Sequence, residues 1–100
     1  MEKRKPHYPL AQIKAGVAAR GADAFTATAL AGGYAMGLDL AGMLKVIVGL
    51  SERCFFKSMT THVDHRLWQD VYHAETPAGP AYVKFTLRID GSIVISFKRL

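Results

Sequence analysis

Length, composition and charge restrict this chain to a few classes of protein. Its 100 residues are enough for one domain with a single modest core, and half of them are apolar. The 13 Lys and Arg against 8 Asp and Glu give a formal charge of +5, which favours a polyanionic partner such as nucleic acid, an acidic protein or an anionic membrane. The single cysteine, Cys54, excludes an internal disulfide and multi-cysteine metal motifs, and it is typical of a reducing cytoplasm.

Targeting and membrane segments are not evident in the sequence. The N-terminus is basic, but no apolar segment of a signal peptide follows it. Residues 24–38 are uncharged, yet this stretch is too short and too rich in small residues to cross a membrane. We therefore expect a soluble cytoplasmic protein formed by one domain, residues 1–100.

The chain begins with an arm and a short helix. Residues 1–9 are basic with few apolar groups, so we expect an extended, partly disordered arm. In residues 10–19, Leu10, Ile13 and Val17 are spaced three and four apart, which predicts an amphipathic helix that stops at Gly21.

Two further helices are predicted before the first long strand. Thr26 is suited to cap a helix that ends at Gly37, although the glycines at 32–33 weaken its middle by about 1 kcal/mol each. Asp39 is suited to cap a third helix, Leu40–Val48, which carries an apolar stripe on one face. The stripes predict that these helices pack on a sheet.

Four strands are predicted in the second half of the chain: 54–61, 68–75, 81–89 and 92–98. Short loops join them, so neighbouring strands are expected to be antiparallel. Helices followed by strands predict an α+β domain, with the helices on one sheet face and the other face partly open.

The last two strands form a predicted hairpin with a three-residue loop, 90–92, because this register keeps apolar side chains on one face. The apolar pairs are then Ile89 with Ile93, Leu87 with Ile95, and Phe85 with Phe97. On the other face, the same register sets Lys84 opposite Lys98, with Tyr82 diagonal to Lys98. Facing lysines are unfavourable unless an anion lies over them, which is the first indication of function.

These residues indicate a cationic, hydroxyl-bearing sheet face comprising Lys57, Tyr82, Lys84, Arg88 and Lys98, with Gln69 nearby if its strand is adjacent. Periodicity alone does not place Lys57 on either face. Such a face can bind RNA through phosphates and base stacking, or cleave it without a metal. An ordinary solvated sheet face fits the composition equally well.

Other chemistries have weaker support. His62, Asp64 and His65 are three potential metal ligands, but their spacing matches no recognised metal motif. The glycines match no phosphate-binding or dinucleotide-binding loop, and nothing near Cys54 suggests an activated thiol beyond Arg53. We therefore expect neither a metal nor another cofactor.

Several segments of the chain resemble the MqsR toxins of bacterial type II toxin-antitoxin systems. They are residues 38–43, 46–52, 56–61, 64–65, 68–72, 82–84 and 93–98. The most specific are Lys57-Ser58-Met59-Thr60-Thr61 and Trp68-Gln69-Asp70-Val71-Tyr72. The resemblance covers nearly the whole length.

The resemblance implies a RelE-like fold and a sequence-specific, ribosome-independent mRNA endoribonuclease that cuts GCU-type sites and arrests growth. It assigns activity to Lys57, Gln69, Tyr82 and Lys98, and so predicts that Lys57 and Gln69 lie on the cationic face. We expect Lys84, Arg88 and Arg99 to contact RNA. The implied partner is an MqsA-like antitoxin that binds zinc and DNA. A ribosome-dependent RelE-type nuclease and a non-catalytic RNA-binding module remain as alternatives.

Overall fold

A five-stranded antiparallel sheet forms one layer of the protein, and its strands follow one another in chain order. The computed structural model describes all residues, 1–100. The strands are β1 Glu2–Lys3, β2 Phe55–Thr60, β3 Trp68–Ala74, β4 Ala81–Leu87 and β5 Ile93–Arg99. The four predicted strands are thus present, and the short β1 adds an edge that periodicity did not indicate.

Three helices form the second layer: α1 Leu10–Arg20, α2 Ala27–Ala35 and α3 Leu40–Val48. The predicted caps are confirmed, since Thr26 Oγ1 accepts from the Ala29 amide at 3.0 Å and Asp39 Oδ1 from the Gly42 amide at 2.8 Å. No single helix is long and apolar enough to cross a membrane; α2 and α3 meet that description only as a pair, bent by 94°.

The core lies between the helices and one face of the sheet. Its buried members include Ile13, Val17, Met43, Ile47, Tyr72, Phe85, Ile95 and Phe97. The apolar stripes predicted for the first and third helices supply most of the helical part of this core, and Ala29 of α2 adds to it. The α+β architecture is therefore confirmed, with the opposite sheet face left open.

Glycine lets α2 pack directly against the backbone of β5. A Cβ atom at Gly32 would lie 2.0 Å from the carbonyl oxygen of Phe97, and one at Gly33 would lie 2.0 Å from the Sδ atom of Met43. Both separations are far below van der Waals contact, so these mid-helix glycines provide close packing at the expense of helix propensity.

The N-terminal arm is extended, as predicted, but it is anchored to the sheet instead of being partly disordered. Glu2 pairs with Met59 as β1 joins β2, and the amides of His7 and Tyr8 both donate to the Asp70 carboxylate. The buried carboxylate lies more than 60 positions away in sequence, so local composition carries no sign of this attachment.

The predicted hairpin register is wrong by two residues. Leu87 pairs with Ile93, so the loop spans 88–92, and Lys84 faces Ser96 instead of Lys98. Tyr82 lies directly opposite Lys98. The longer loop is stabilised by Asp90, whose Oδ1 accepts hydrogen bonds from the amide and hydroxyl of Ser92. A two-residue shift keeps every side chain on the same face, so alternation cannot distinguish the two registers.

Candidate nucleic-acid interface

The open face of the sheet is defined by three rows of cross-strand neighbours, because directly paired residues point to the same side. The central row is Lys57, Val71, Lys84 and Ser96. On one side of it lie Met59, Gln69, Thr86 and Val94; on the other lie His73, Tyr82 and Lys98. Lys57, Gln69, Tyr82 and Lys98 therefore share this face, as the resemblance predicted.

A β-bulge in β2 sets the direction of Lys57. Phe55 pairs with Tyr72 while Lys57 pairs with Val71, so one extra residue, Phe56, is inserted between them. The irregularity turns Lys57 toward the open face and interrupts the period-two pattern. It explains why the sequence of this strand had no clean polar face.

Lys57 forms an ion pair with the N-terminal strand. Its Nζ lies 2.5 Å from Glu2 Oε1, and its side chain is only 24% exposed. The hydrogen bond and charge of Lys57 lower the pKa of the Glu2 carboxyl. The arm therefore adds one carboxylate to an otherwise cationic face, a residue that sequence reasoning did not include in the site.

Gln69 and Tyr82 are both partly buried. Gln69 Nε2 donates to Thr86 Oγ1 at 3.2 Å, which orients the amide on the sheet. Burial raises the pKa of the Tyr82 phenol, an effect that the charge of Lys57 partly opposes. Lys98 Nζ lies 5.1 Å from the centre of the Tyr82 ring, so an ammonium group lies over the face of the phenol.

An aromatic row continues from Tyr82 across the neighbouring strands. The rings of His73 and Phe56 stack at a centroid distance of 4.2 Å, and the His73 ring lies 6.4 Å from that of Tyr82. The Phe56 side chain is 42% exposed, so it presents apolar surface to solvent on an otherwise polar face. Exposed rings of this kind suit stacking with unpaired bases. Sequence reasoning missed Phe56 and His73 because their proximity depends on strand register.

Lys84 lies at the centre of the face and is half-buried. Burial lowers the pKa of its ammonium, and the nearby charge of Lys98 lowers it further. The chain contains only two side-chain salt bridges, Lys57 with Glu2 and Arg66 with Asp64, so Lys84 has no carboxylate partner.

A cavity of about 220 Å³ opens between this part of the face and the first turn of α2. Its polar lining consists of Thr26, Thr28, Tyr82, Lys84, Ser96 and Lys98. These polar side chains bear hydroxyl or ammonium groups and none is a carboxylate, while Ala29 and Phe97 add apolar surface. The cavity therefore has the chemistry to receive an anion of modest size.

The two arginines predicted to contact RNA lie outside the three rows of the open face. Arg88 is an exposed member of the 88–92 loop, beyond the end of β4. Arg99 pairs with the buried Ala81, so it is on the helix side of the sheet, and its Nη1 donates to the Ala78 carbonyl at 2.9 Å. The structure does not bring Arg99 onto the open face.

The residues weighed as metal ligands do not form a cluster. No three His, Cys, Asp or Glu side chains are arranged to hold a metal ion. Asp64 is instead bound to Arg66, with Oδ1 3.1 Å from the guanidinium Nε.

Fold and face together define a class: a small α+β protein whose open sheet face combines cations, hydroxyls and aromatic rings suited to single-stranded nucleic acid. Its sequence identifies the family. Residues 5–99 match the family described as "Motility quorum-sensing regulator, toxin of MqsA", and the chain belongs to this MqsR toxin family. It is also 48% identical over 98 residues, 98% of each chain, to the mRNA interferase toxin MqsR of Escherichia coli (strain K12).

Proposed function

We propose that this protein is the toxin of a type II toxin-antitoxin system and acts as an mRNA endoribonuclease that arrests growth. The observation that carries the proposal is the convergence of Lys57, Gln69, Tyr82 and Lys98 on one open sheet face. Family membership and the similarity to an mRNA interferase support it independently. The cleavage is ribosome-independent, directed to GCU-type sites, and takes place in the bacterial cytoplasm.

The reaction proceeds without a metal by attack of a ribose 2′-OH on the adjacent phosphorus. A base removes the 2′ proton, the O2′–P bond forms, and the P–O5′ bond breaks as the 5′ oxygen receives a proton. The products are a 2′,3′-cyclic phosphate and a 5′-hydroxyl. The protein must supply a base, an acid and positive charge for the pentacoordinate phosphate.

The surroundings of each side chain support particular roles. Tyr82 donates a proton to the leaving oxygen or stacks on a base, because burial raises its pKa and keeps the phenol protonated. Lys98 stabilises phosphate charge, and Gln69 orients the substrate as a hydrogen-bond donor. Lys57 acts as general base or as an electrostatic helper, and its ion pair with Glu2 favours the second role while the pair is intact.

Purified protein incubated with a long mixed-sequence RNA, without ribosomes and with EDTA, tests this proposal. We expect discrete cuts with cyclic phosphate ends, and a loss of about 100-fold or more in rate for Lys57→Ala and Lys98→Ala. Lys45→Ala is the matched control, because Lys45 is on α3 beside a different cavity. Intact RNA from an active preparation would contradict the proposal. Cutting of translated message alone would then indicate a ribosome-dependent RelE-type nuclease, and an RNA gel shift without cutting would indicate a binding module.

The proposed partner is an MqsA-like antitoxin that binds zinc and DNA. The family description supports this pairing. Co-expression with an MqsA-like antitoxin is expected to yield a complex in which RNA cleavage is suppressed. RNA cleavage by a stable complex would refute inhibition by direct binding.

A further inference from the structure

Lys84 occupies a position that the four proposed catalytic residues surround. On the open face it is flanked along its own strand by Tyr82 and Thr86, and across the sheet by Val71 and Ser96. Gln69 and Lys98 are its diagonal neighbours on the two sides. Val71 lies between Lys57 and Lys84 in the same row and is fully buried, so neighbouring side chains close over it.

The polar side chains of the cavity beside Lys84 suit an anion. Its polar lining combines the ammonium groups of Lys84 and Lys98 with four hydroxyl-bearing side chains, those of Thr26, Thr28, Tyr82 and Ser96. Ammonium groups and hydroxyls both donate charge-assisted hydrogen bonds to phosphate oxygens. The volume of about 220 Å³ accommodates a phosphate group with part of its attached sugar.

The placement of Lys84 is unfavourable for the protein alone. A half-buried ammonium loses hydration, and Lys84 has no carboxylate that offsets the loss. The positive charge of Lys98 also acts on Lys84 and repels it. A bound phosphate would offset the charges of both Lys84 and Lys98. Without a bound anion, an apolar side chain at position 84 would stabilise the protein better than lysine does.

Resting on the proposed function, we infer that Lys84 is a further catalytic residue and that the cavity it forms with Ser96, Thr28 and Lys98 holds the scissile phosphodiester of RNA. As O2′ adds to phosphorus, the non-bridging oxygens gain negative charge, and the Lys84 ammonium donates hydrogen bonds to them. Lys84 keeps its protons throughout, so the base and the acid of the reaction are other groups. Burial strengthens the attraction, because the local dielectric is lower than that of water.

Replacing the lysine by residues without charge tests this inference. For Lys84→Met and Lys84→Gln we expect kcat to fall about 100-fold with a smaller change in KM, since the charge is needed most in the transition state. Binding of a 2′-O-methyl oligoribonucleotide, which cannot be cut, is expected to show a salt slope about 0.7 lower in magnitude. Both variants are expected to unfold at urea concentrations no lower than wild type. Lys45→Met is the control for loss of one positive charge.

Each outcome bears on the inference in a defined way. Wild-type kcat in either Lys84 variant refutes it, as does an unchanged salt slope. A fall in kcat that merely parallels a loss of stability also refutes it, because it marks Lys84 as structural. If wild-type protein cuts no RNA, the proposed function fails, and the salt slope alone then decides whether Lys84 contacts a phosphate. If Lys84→Met does not fold, the inference is refuted unless Lys84→Gln folds and gives the expected changes.

Discussion

Replacing Asp70 by alanine is expected to destabilise this protein strongly, because one buried carboxylate connects three segments of the chain. Asp70 is 1% exposed and accepts hydrogen bonds from the amides of His7 and Tyr8 at 2.9–3.1 Å. It also accepts from Ser58 Oγ at 2.6 Å. The substitution therefore removes the acceptor for two backbone donors and one side-chain donor together.

The size of the effect follows from where those donors lie. A hydrogen bond to a charged group contributes about 1.5–3 kcal/mol, and a buried donor without a partner costs about 1–3 kcal/mol. Ser58 is fully enclosed and cannot turn to water, whereas the two amides belong to an arm that can move into solvent. We expect a loss of about 3–4 kcal/mol, a large part of the roughly 5–15 kcal/mol that stabilises a typical domain.

Urea unfolding followed by circular dichroism measures the loss, with Asp39→Ala as the matched control. Asp39 is exposed and accepts a single hydrogen bond from the Gly42 amide, so its replacement is expected to cost about 1 kcal/mol. Faster proteolysis within residues 1–9 of the Asp70 variant is a second expected result. Equal losses for the two variants would refute the reasoning.

Three further predictions concern packing, titration and the N-terminal strand. In urea unfolding, Gly32→Ala is expected to destabilise the protein more than Gly33→Ala. The methyl group added at position 32 meets a carbonyl oxygen of β5, whereas the one added at position 33 meets a flexible methionine side chain. The reverse order of stabilities would contradict this packing. Burial raises the pKa of Tyr72 to about 12, so stability present below pH 10 is lost as pH rises toward 12. Between pH 8 and pH 11.5 this loss amounts to about 2 kcal/mol. Unfolding at the two pH values should show that Tyr72→Phe lacks most of it, and equal losses in the two proteins would refute this prediction. Glu2→Gln is expected to tighten binding of 2′-O-methyl RNA several-fold at low salt in fluorescence anisotropy, since it frees Lys57; unchanged affinity would contradict that.

Local pattern alone determined most of the architecture of this protein. Apolar spacing predicted the helices, Thr26 and Asp39 marked two of their starts, and alternation predicted the four long strands. The same alternation assigned Tyr82 and Lys84 to a polar face, because the side-chain period of a strand is a local property. Periodicity did not settle which face Lys57 and Gln69 occupy, and the resemblance to a family predicted that both lie on the open face.

The tertiary structure decided the features that depend on distant partners. The hairpin register differs from the predicted one by two residues. The alternation of apolar and polar residues cannot detect such a shift, because it leaves every side chain on the same face. Lys57 reaches the open face through a bulge, and the arm is ordered by Asp70, far along the chain. The cavity at Lys84 exists because α2 packs against β5 beside it. Each of these features arises from contacts between segments that are far apart in sequence. A local stretch of residues cannot predict them, because the energies of those contacts depend on both segments.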